Sequence, residues 1–131
     1  MRVTGIDHVV LRVRDLERAR AFYMEVLGCV LERRQEKIGM IQLRAGGQLI
    51  DLVDLNGKIG LKGGAAPGEE GRNMDHLCLT VADFDIDAAA DHLRRHGVEP
   101  GETGERFGAS GKAMSLYLTD PDGNGLELRG G

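Results

Sequence analysis

Two stretches of this chain repeat one another. IDHVVLRVRDL at residues 6–16 aligns with MDHLCLTVADF at residues 74–84. Each copy has an Asp-His pair (Asp7-His8, Asp75-His76), apolar residues at matching positions, and a second Asp eight residues after the first (Asp15, Asp83). A unit repeated within 131 residues constrains the fold strongly. What the first half forms, the second half forms again, and stacked copies bury what one copy leaves open.

Each copy reads as a strand running into a helix. In the first, Leu16, Ala19, Phe22, Tyr23, Val26 and Leu27 recur at three- and four-residue steps until Gly28 stops the pattern. In the second, Ile86, Ala89, Ala90 and Leu93 do the same, Arg94, Arg95 and His96 occupy the last turn, and Gly97 follows. Asp15, and either Asp83 or Asp85, suit the N-cap positions. Three strand-like segments follow each helix, at 29–36, 40–45 and 48–54 and then at 98–107, 113–119 and 125–129, the last two joined by the turn sequence DPDGN. The chain is therefore expected to be one α+β domain, 1–131, of two βαβββ modules. Module one covers about 5–54 and module two about 74–129, with a glycine-rich linker at 55–73.

Glycine is the compositional outlier, at 20 of 131 residues, and ten of the 20 fall in two segments. Six lie in 54–73, the joint between the copies. Four lie in 99–112, which reads as a long, mobile connection between strands.

Seventeen Lys and Arg against 21 Asp and Glu give a net charge of −4, which supplies no basic excess for nucleic acid. With no Trp, two Tyr and three Phe, there is no stacking platform for single strands either. No apolar run is long enough for a membrane span, and no basic leader precedes one at the N-terminus, so a cytoplasmic protein is expected. Cys29 and Cys78 read as two buried, unpaired thiols of a reducing compartment.

The repeat also places chemistry. His8 and His76 lie on the first strand of each copy, and Asp51 and Glu127 lie on the last, inside the matching tripeptides Ile50-Asp51-Leu52 and Leu126-Glu127-Leu128. Strand alternation sets His8, Val10 and Arg12 on one face and Val9, Leu11 and Val13 on the other. His76 likewise faces with Cys78 and Thr80, away from Leu77, Leu79 and Val81. The aliphatic faces are expected to pack on the helices, which leaves the histidines and carboxylates on the opposite face. Two imidazoles and two carboxylates suit a divalent ion such as Zn²⁺, Ni²⁺, Co²⁺, Mn²⁺ or Fe²⁺ over Ca²⁺. With open positions, such an ion is a Lewis acid for two neighbouring substrate oxygens.

These residues bring the chain to a known family. Residues 5–129 resemble the vicinal oxygen chelate superfamily, the glyoxalase, bleomycin-resistance and extradiol dioxygenase group. The carriers are DHVVLRVRDLERARAFYMEVLG at 7–28, QLIDL at 48–52, DHLCLTVADFDIDAAADHLRRHGV at 75–98 and GASGKAMSLYLTDPDGNGLEL at 108–128. The resemblance implies a curved mixed sheet around a cavity. It implies metal ligands at His8, His76 and Glu127, with Asp51 in the place of a Glu or Gln. Asp is one methylene shorter, so Asp51 ligates after a small strand shift, acts through water, or serves as a base. It further implies a small-molecule substrate, no nucleic acid or membrane partner, and two modules meeting within one chain or across a homodimer, the latter being expected.

Four functions compete. A lyase or isomerase resembling glyoxalase I would use Glu127 or Asp51 to move a carbon-bound proton through an enediolate. An extradiol-type dioxygenase would use the two-histidine, one-carboxylate triad. Thiol transfer to an epoxide antibiotic would need a potassium loop and a cationic phosphonate site, for which Lys112, Arg106 and Arg12 are available. A drug-binding module would need no metal. Arg12 on the histidine face, and Ser110 and Lys112 in the GASGK segment, are the expected substrate-binding residues.

Overall fold

The computed structural model describes residues 1–131, which divide into two compact units, Met1–Asn73 and Met74–Gly131. The first unit holds β1 (His8–Val13), α1 (Leu16–Ala21), β2 (Val30–Gln35), β3 (Met40–Ala45) and β4 (Gln48–Asp54). The second holds β5 (His76–Val81), α2 (Ile86–Arg95), β6 (Thr103–Gly108), β7 (Gly111–Thr119) and β8 (Gly125–Gly130). Each unit is thus a βαβββ module with one four-stranded mixed sheet, in the order β1-β4-β3-β2 and β5-β8-β7-β6. The first and last strands of each module run parallel and adjacent, and the other pairs are antiparallel. This α+β architecture is the one the repeat implies.

Alternation decides which side of each sheet meets its helix. Leu11, Val13, Ile50 and Leu52 are buried in the first unit, as are Leu126, Leu128, Leu116 and Leu118 in the second. Each such side chain stabilises the fold by about 1.5–3 kcal/mol when fully buried. Asp15 caps α1 by accepting from the Arg18 N–H at 2.9 Å, and Asp85 caps α2 by accepting from Ala88 at 2.8 Å. A cap of this kind is worth about 1 kcal/mol. Asp85 is therefore the cap and Asp83 is not, its positive φ of 50° placing it in the preceding turn. After Ala21 the first helix widens into a π-helical turn, Phe22–Val26, in which Leu27 N–H donates to Phe22 O at 3.3 Å. That widening buries the consecutive residues Phe22 and Tyr23 together, edge to face at 5.2 Å.

The two glycine-rich segments differ from the sequence reading. Residues 55–73 are bound back onto the first unit. Arg12 donates to the carbonyls of Gly60, Gly63, Gly64 and Ala65 at 2.6–3.2 Å, Arg14 donates to Pro67 O, and Asn73 Nδ2 donates to Arg12 O at 3.1 Å. Gly63 allows this contact, because a Cβ there would come within 2.3 Å of the Arg12 Cζ. Residues 99–112 are not a long mobile connection. Most of them form β6 and the start of β7, which pair from Thr103↔Leu116 to Gly108↔Gly111 and leave only Ala109 and Ser110 as the hairpin turn. A glycine count alone does not separate a loop from a strand whose glycines make room for large neighbours.

Candidate functional site

In the second unit, the candidate residues lie on the β5-β8-β7 strands. Glu127 lies on β8 directly across from Cys78 of β5 and Tyr117 of β7. Its carboxylate is 5% exposed. Ser115 Oγ donates to Oε1, and the Tyr117 hydroxyl donates to Oε2 at 3.2 Å. His76 Nε2 lies 3.1 Å from the same Oε2. Burial alone would push the Glu127 carboxyl up. The hydrogen bonds from Ser115 and Tyr117, with the charges of His76 and Arg129, outweigh it and hold the group below the usual carboxylate range. Glu127 is therefore a fixed, ionised carboxylate.

The first unit carries its own candidate residues on β1 and β4. Asp51 lies on β4 across from Val10 of β1 and Gln42 of β3, and is 3% exposed. Gln42 Nε2 donates to Oδ2 at 3.0 Å and is itself held by Gln35 Nε2, which donates to Gln42 Oε1 at 3.0 Å. The other oxygen, Oδ1, is buried with no hydrogen-bond partner. His8 is half-exposed on the neighbouring strand. Its pKa is raised, first by its hydrogen bond to Asp7, against a smaller burial effect, and further by the negative charge of Asp51.

The repeated Asp-His pair acquires a reason. His8 Nδ1–H donates to Asp7 Oδ1 at 2.7 Å, and His76 Nδ1–H donates to Asp75 Oδ1 at 2.6 Å. A carboxylate on Nδ1 fixes the ring, and Nε2 carries a lone pair whenever the imidazole is neutral, the arrangement that metal-ligating histidines use. Neither Asp was singled out from sequence as a working residue, nor were Gln42, Ser115 and Tyr117. Their signal was present: polar side chains alternate with Ile41 and Leu43 on β3 and with Leu116 and Leu118 on β7. Each carboxylate thus has a donor directly across on the neighbouring strand.

The donor types, imidazole and carboxylate, suit a divalent ion. A buried carboxylate oxygen without a donor, as at Asp51 Oδ1, is costly unless something positive or protic meets it. A histidine Nε2 beside a carboxylate oxygen, with Nδ1–H already donated, accepts a cation between the two groups. No group of three or more His, Cys, Asp or Glu side chains is gathered around one point.

Of the three expected substrate-binding residues, Arg12 and Lys112 have other partners. Four N–H groups of Arg12 are bound to the 60–65 backbone. Ser110 sits exposed in the β6–β7 turn, and Lys112 Nζ lies 3.6 Å from Glu105 Oε1 across the hairpin. Arg106 is spent as well, donating to Glu102 Oε1 at 2.7 Å with its guanidinium 5.5 Å from the Tyr117 ring centre. Cys29 is buried as expected, with its thiol pushed up to about 11 by burial. Cys78 departs from expectation: it is exposed, because it points to the polar face beside Glu127. No helix is long and apolar enough to cross a membrane.

Comparison with known proteins agrees with this architecture. Virulence protein STM3117 of Salmonella typhimurium is 32% identical over 98% of this chain and 85% of its own. Its crystal structure superimposes with a TM-score of 0.80, at 30% identity, over 99% of this chain and 98% of that one. Glyoxalase domain-containing protein RDO1 of Mycosarcoma maydis is 31% identical over 96% of this chain and 68% of its own. The human mitochondrial methylmalonyl-CoA epimerase is 25% identical over 92% of this chain and 69% of its own. The wider set of relatives includes a catechol-2,3-dioxygenase and glutathione transferase FosA. The sequence profile of one family matches residues 5–128, nearly the whole βαβββ repeat, and the chain belongs to that family, the Glyoxalase/Bleomycin resistance protein/Dioxygenase superfamily.

Proposed function

We propose that this chain is a divalent-metal-dependent enzyme that holds two adjacent oxygens of a small substrate and catalyses a lyase or isomerase proton transfer, as glyoxalase I does. The observation that carries the reading is Asp51 Oδ1, a buried carboxylate oxygen with no donor. Both oxygens of Glu127 are engaged by Ser115, Tyr117 and His76, so Glu127 suits a fixed ligand. Asp51 has one oxygen held by Gln42 and one left to take a proton. The division of labour is then His8, His76 and Glu127 as the residues that hold the ion, and Asp51 as the general base.

When bound, a divalent ion with open positions supplies positive charge to oxygens on neighbouring substrate atoms. The protein residues do the rest. Asp7 and Asp75 orient the two imidazoles, Ser115 and Tyr117 orient Glu127, and Gln42 orients Asp51. Asp51 Oδ1 receives the carbon-bound proton and returns it to the same or the adjacent carbon. An epimerase among the relatives is in keeping with such chemistry. The reading requires the two half-sets to act on one ion, within a chain or across a homodimer. We favour the homodimer, which light scattering at micromolar concentration would reveal.

The test is proton exchange. Metal-loaded protein is incubated in D₂O with the hemithioacetal of methylglyoxal and glutathione and with a panel of 2-hydroxycarbonyl compounds, and the C–H signal is followed by NMR. Exchange that a chelator abolishes supports the proposal. Oxygen uptake with a catechol, without exchange, would instead favour the dioxygenase reading, for which the same His8, His76 and Glu127 form the triad. A purified chain that retains no stoichiometric metal would defeat both and favour a drug-binding module.

A further inference from the structure

The molecule has one buried arginine, Arg129, and it differs from the half-buried Arg12 in what it touches. Arg129 lies on β8 two residues beyond Glu127, on the same face of the sheet. Its cross-strand partners are Thr80 of β5 and Ser115 of β7. It is only 3% exposed. Its one hydrogen bond is from Nη2 to the Gly111 carbonyl at 2.6 Å, and its Nε is enclosed with no partner. No carboxylate lies within ion-pair distance of it, although its charge helps to hold Glu127 ionised.

A guanidinium has five N–H donors and a permanent charge, and enclosing it with most donors unused is costly. Arg12 shows what a structural arginine looks like here, with four carbonyls satisfied on one segment. Arg129 shows the opposite, with a single carbonyl bound. A Cβ on Gly108 would come within 2.0 Å of its Nη1, so the guanidinium packs directly on the glycine at the end of the β6–β7 hairpin. Arg106 is on the same face but is committed to Glu102 and Tyr117. Arg129 is therefore the cation on this face with donors to spare.

We propose that Arg129 anchors a carboxylate of the substrate. The planar fork of a guanidinium matches a carboxylate in two parallel hydrogen bonds. Arg129 and Glu127 are one pleat apart, about 6.6 Å along the strand. The anchored anion and the reacting oxygens then belong to one small molecule, a short-chain organic acid with adjacent oxygens. This inference narrows the substrate class of the proposed function and rests on that reading for the chemistry, but the binding of the anion does not depend on the metal.

The experiment is an NMR titration of the full chain, with and without Zn²⁺. The Nε–Hε correlation of Arg129, assigned by its loss in Arg129→Met, is followed against propionate and against propionamide, its neutral counterpart. A saturable shift with propionate only, and binding at least tenfold weaker in Arg129→Met as read from the Gly111 and Ser115 amides, supports the anchor. An Arg129 signal that moves no more with propionate than with propionamide overturns it, and this arm uses the unaltered chain, so it decides even if the variant does not fold. Propionate binding without stoichiometric metal uptake would sink the metal reading and leave the anion site standing. Metal uptake without propionate binding would do the reverse.

Discussion

The Tyr117 hydroxyl donates to Glu127 Oε2 at 3.2 Å, and that oxygen is also the one 3.1 Å from His76 Nε2. Tyrosine, carboxylate and imidazole therefore meet at one atom. Partners of this kind orient a ligand, and their removal costs about 10–100-fold in metal affinity. Tyr117→Phe keeps the ring and removes only the donor. It is expected to weaken metal binding by about tenfold in a chelator-competition titration, while leaving the melting temperature within a few degrees. Affinity equal to that of the unaltered chain would make Tyr117 a packing residue.

The architecture was legible in the sequence because strand alternation and repetition are one-dimensional signals. A residue two positions from another shares its face, and a matched tripeptide marks a matched strand. What lay out of reach were contacts across strands. Gln42 meets Asp51, and Tyr117 meets Glu127, only after register is set, and register depends on turns and on pairing partners far along the chain. Arg12 shows the same limit. Its face could be read, but not the carbonyls 48–53 residues away that take up its hydrogen bonds.

The two cysteines are expected to differ in reactivity. Cys29 is buried with its thiol pushed up to about 11, so at pH 8 almost none of it is thiolate. Cys78 is exposed, although partial burial and then the neighbouring Glu127 charge also raise its thiol. Iodoacetamide on the native chain should modify one cysteine per chain, slowly, and peptide mapping should place the label on Cys78. Equal labelling of both would mean that the first unit opens readily near Cys29.

Gly63 is expected to tolerate no side chain without loss of the Arg12 clamp. The Cβ of Gly63→Ala would overlap a guanidinium pinned by four carbonyls, so either the clamp or the 60–65 segment must shift. A cost of about 1–3 kcal/mol follows, in the range of lost charge-assisted hydrogen bonds. Arg12→Met removes the same clamp, so the double variant should cost much less than the sum of the two. Additive losses in thermal or urea unfolding would show that the two positions act independently.

Acid should expose one electrostatic contribution on the surface of the first unit. Glu17 is held by Arg34 at 2.6 Å and Arg20 at 2.8 Å, and the hydrogen bond from Arg34, then that from Arg20, lowers its carboxyl from 4.5 to about 2. A folded-state pKa below the unfolded one gives stability that is present above pH 4.5 and is lost as pH falls toward 2. The group is well exposed, so solvent screening limits each pair to a few tenths of a kcal/mol. Glu17→Gln should therefore be slightly less stable than the unaltered chain at pH 7 and indistinguishable from it near pH 2, provided both still fold there. A gap that widens as pH falls would reverse the sign and contradict the ion-pair account.

Asp51→Asn separates holding an ion from moving a proton. Asn keeps the size of the side chain and an oxygen, and Gln42 can still donate to that oxygen, but an amide cannot act as a general base. If Asp51 is the base, the variant should keep metal within a few-fold of the unaltered chain and lose C–H exchange by about 100-fold or more, the scale on which a general base contributes. If Asp51 is instead a fourth ligand, metal retention and exchange should fall together. Metal content by elemental analysis and exchange by NMR, measured on the same sample, distinguish the two outcomes. Unchanged exchange would remove Asp51 from the chemistry and pass the role of base to Glu127, the other carboxylate of the repeat.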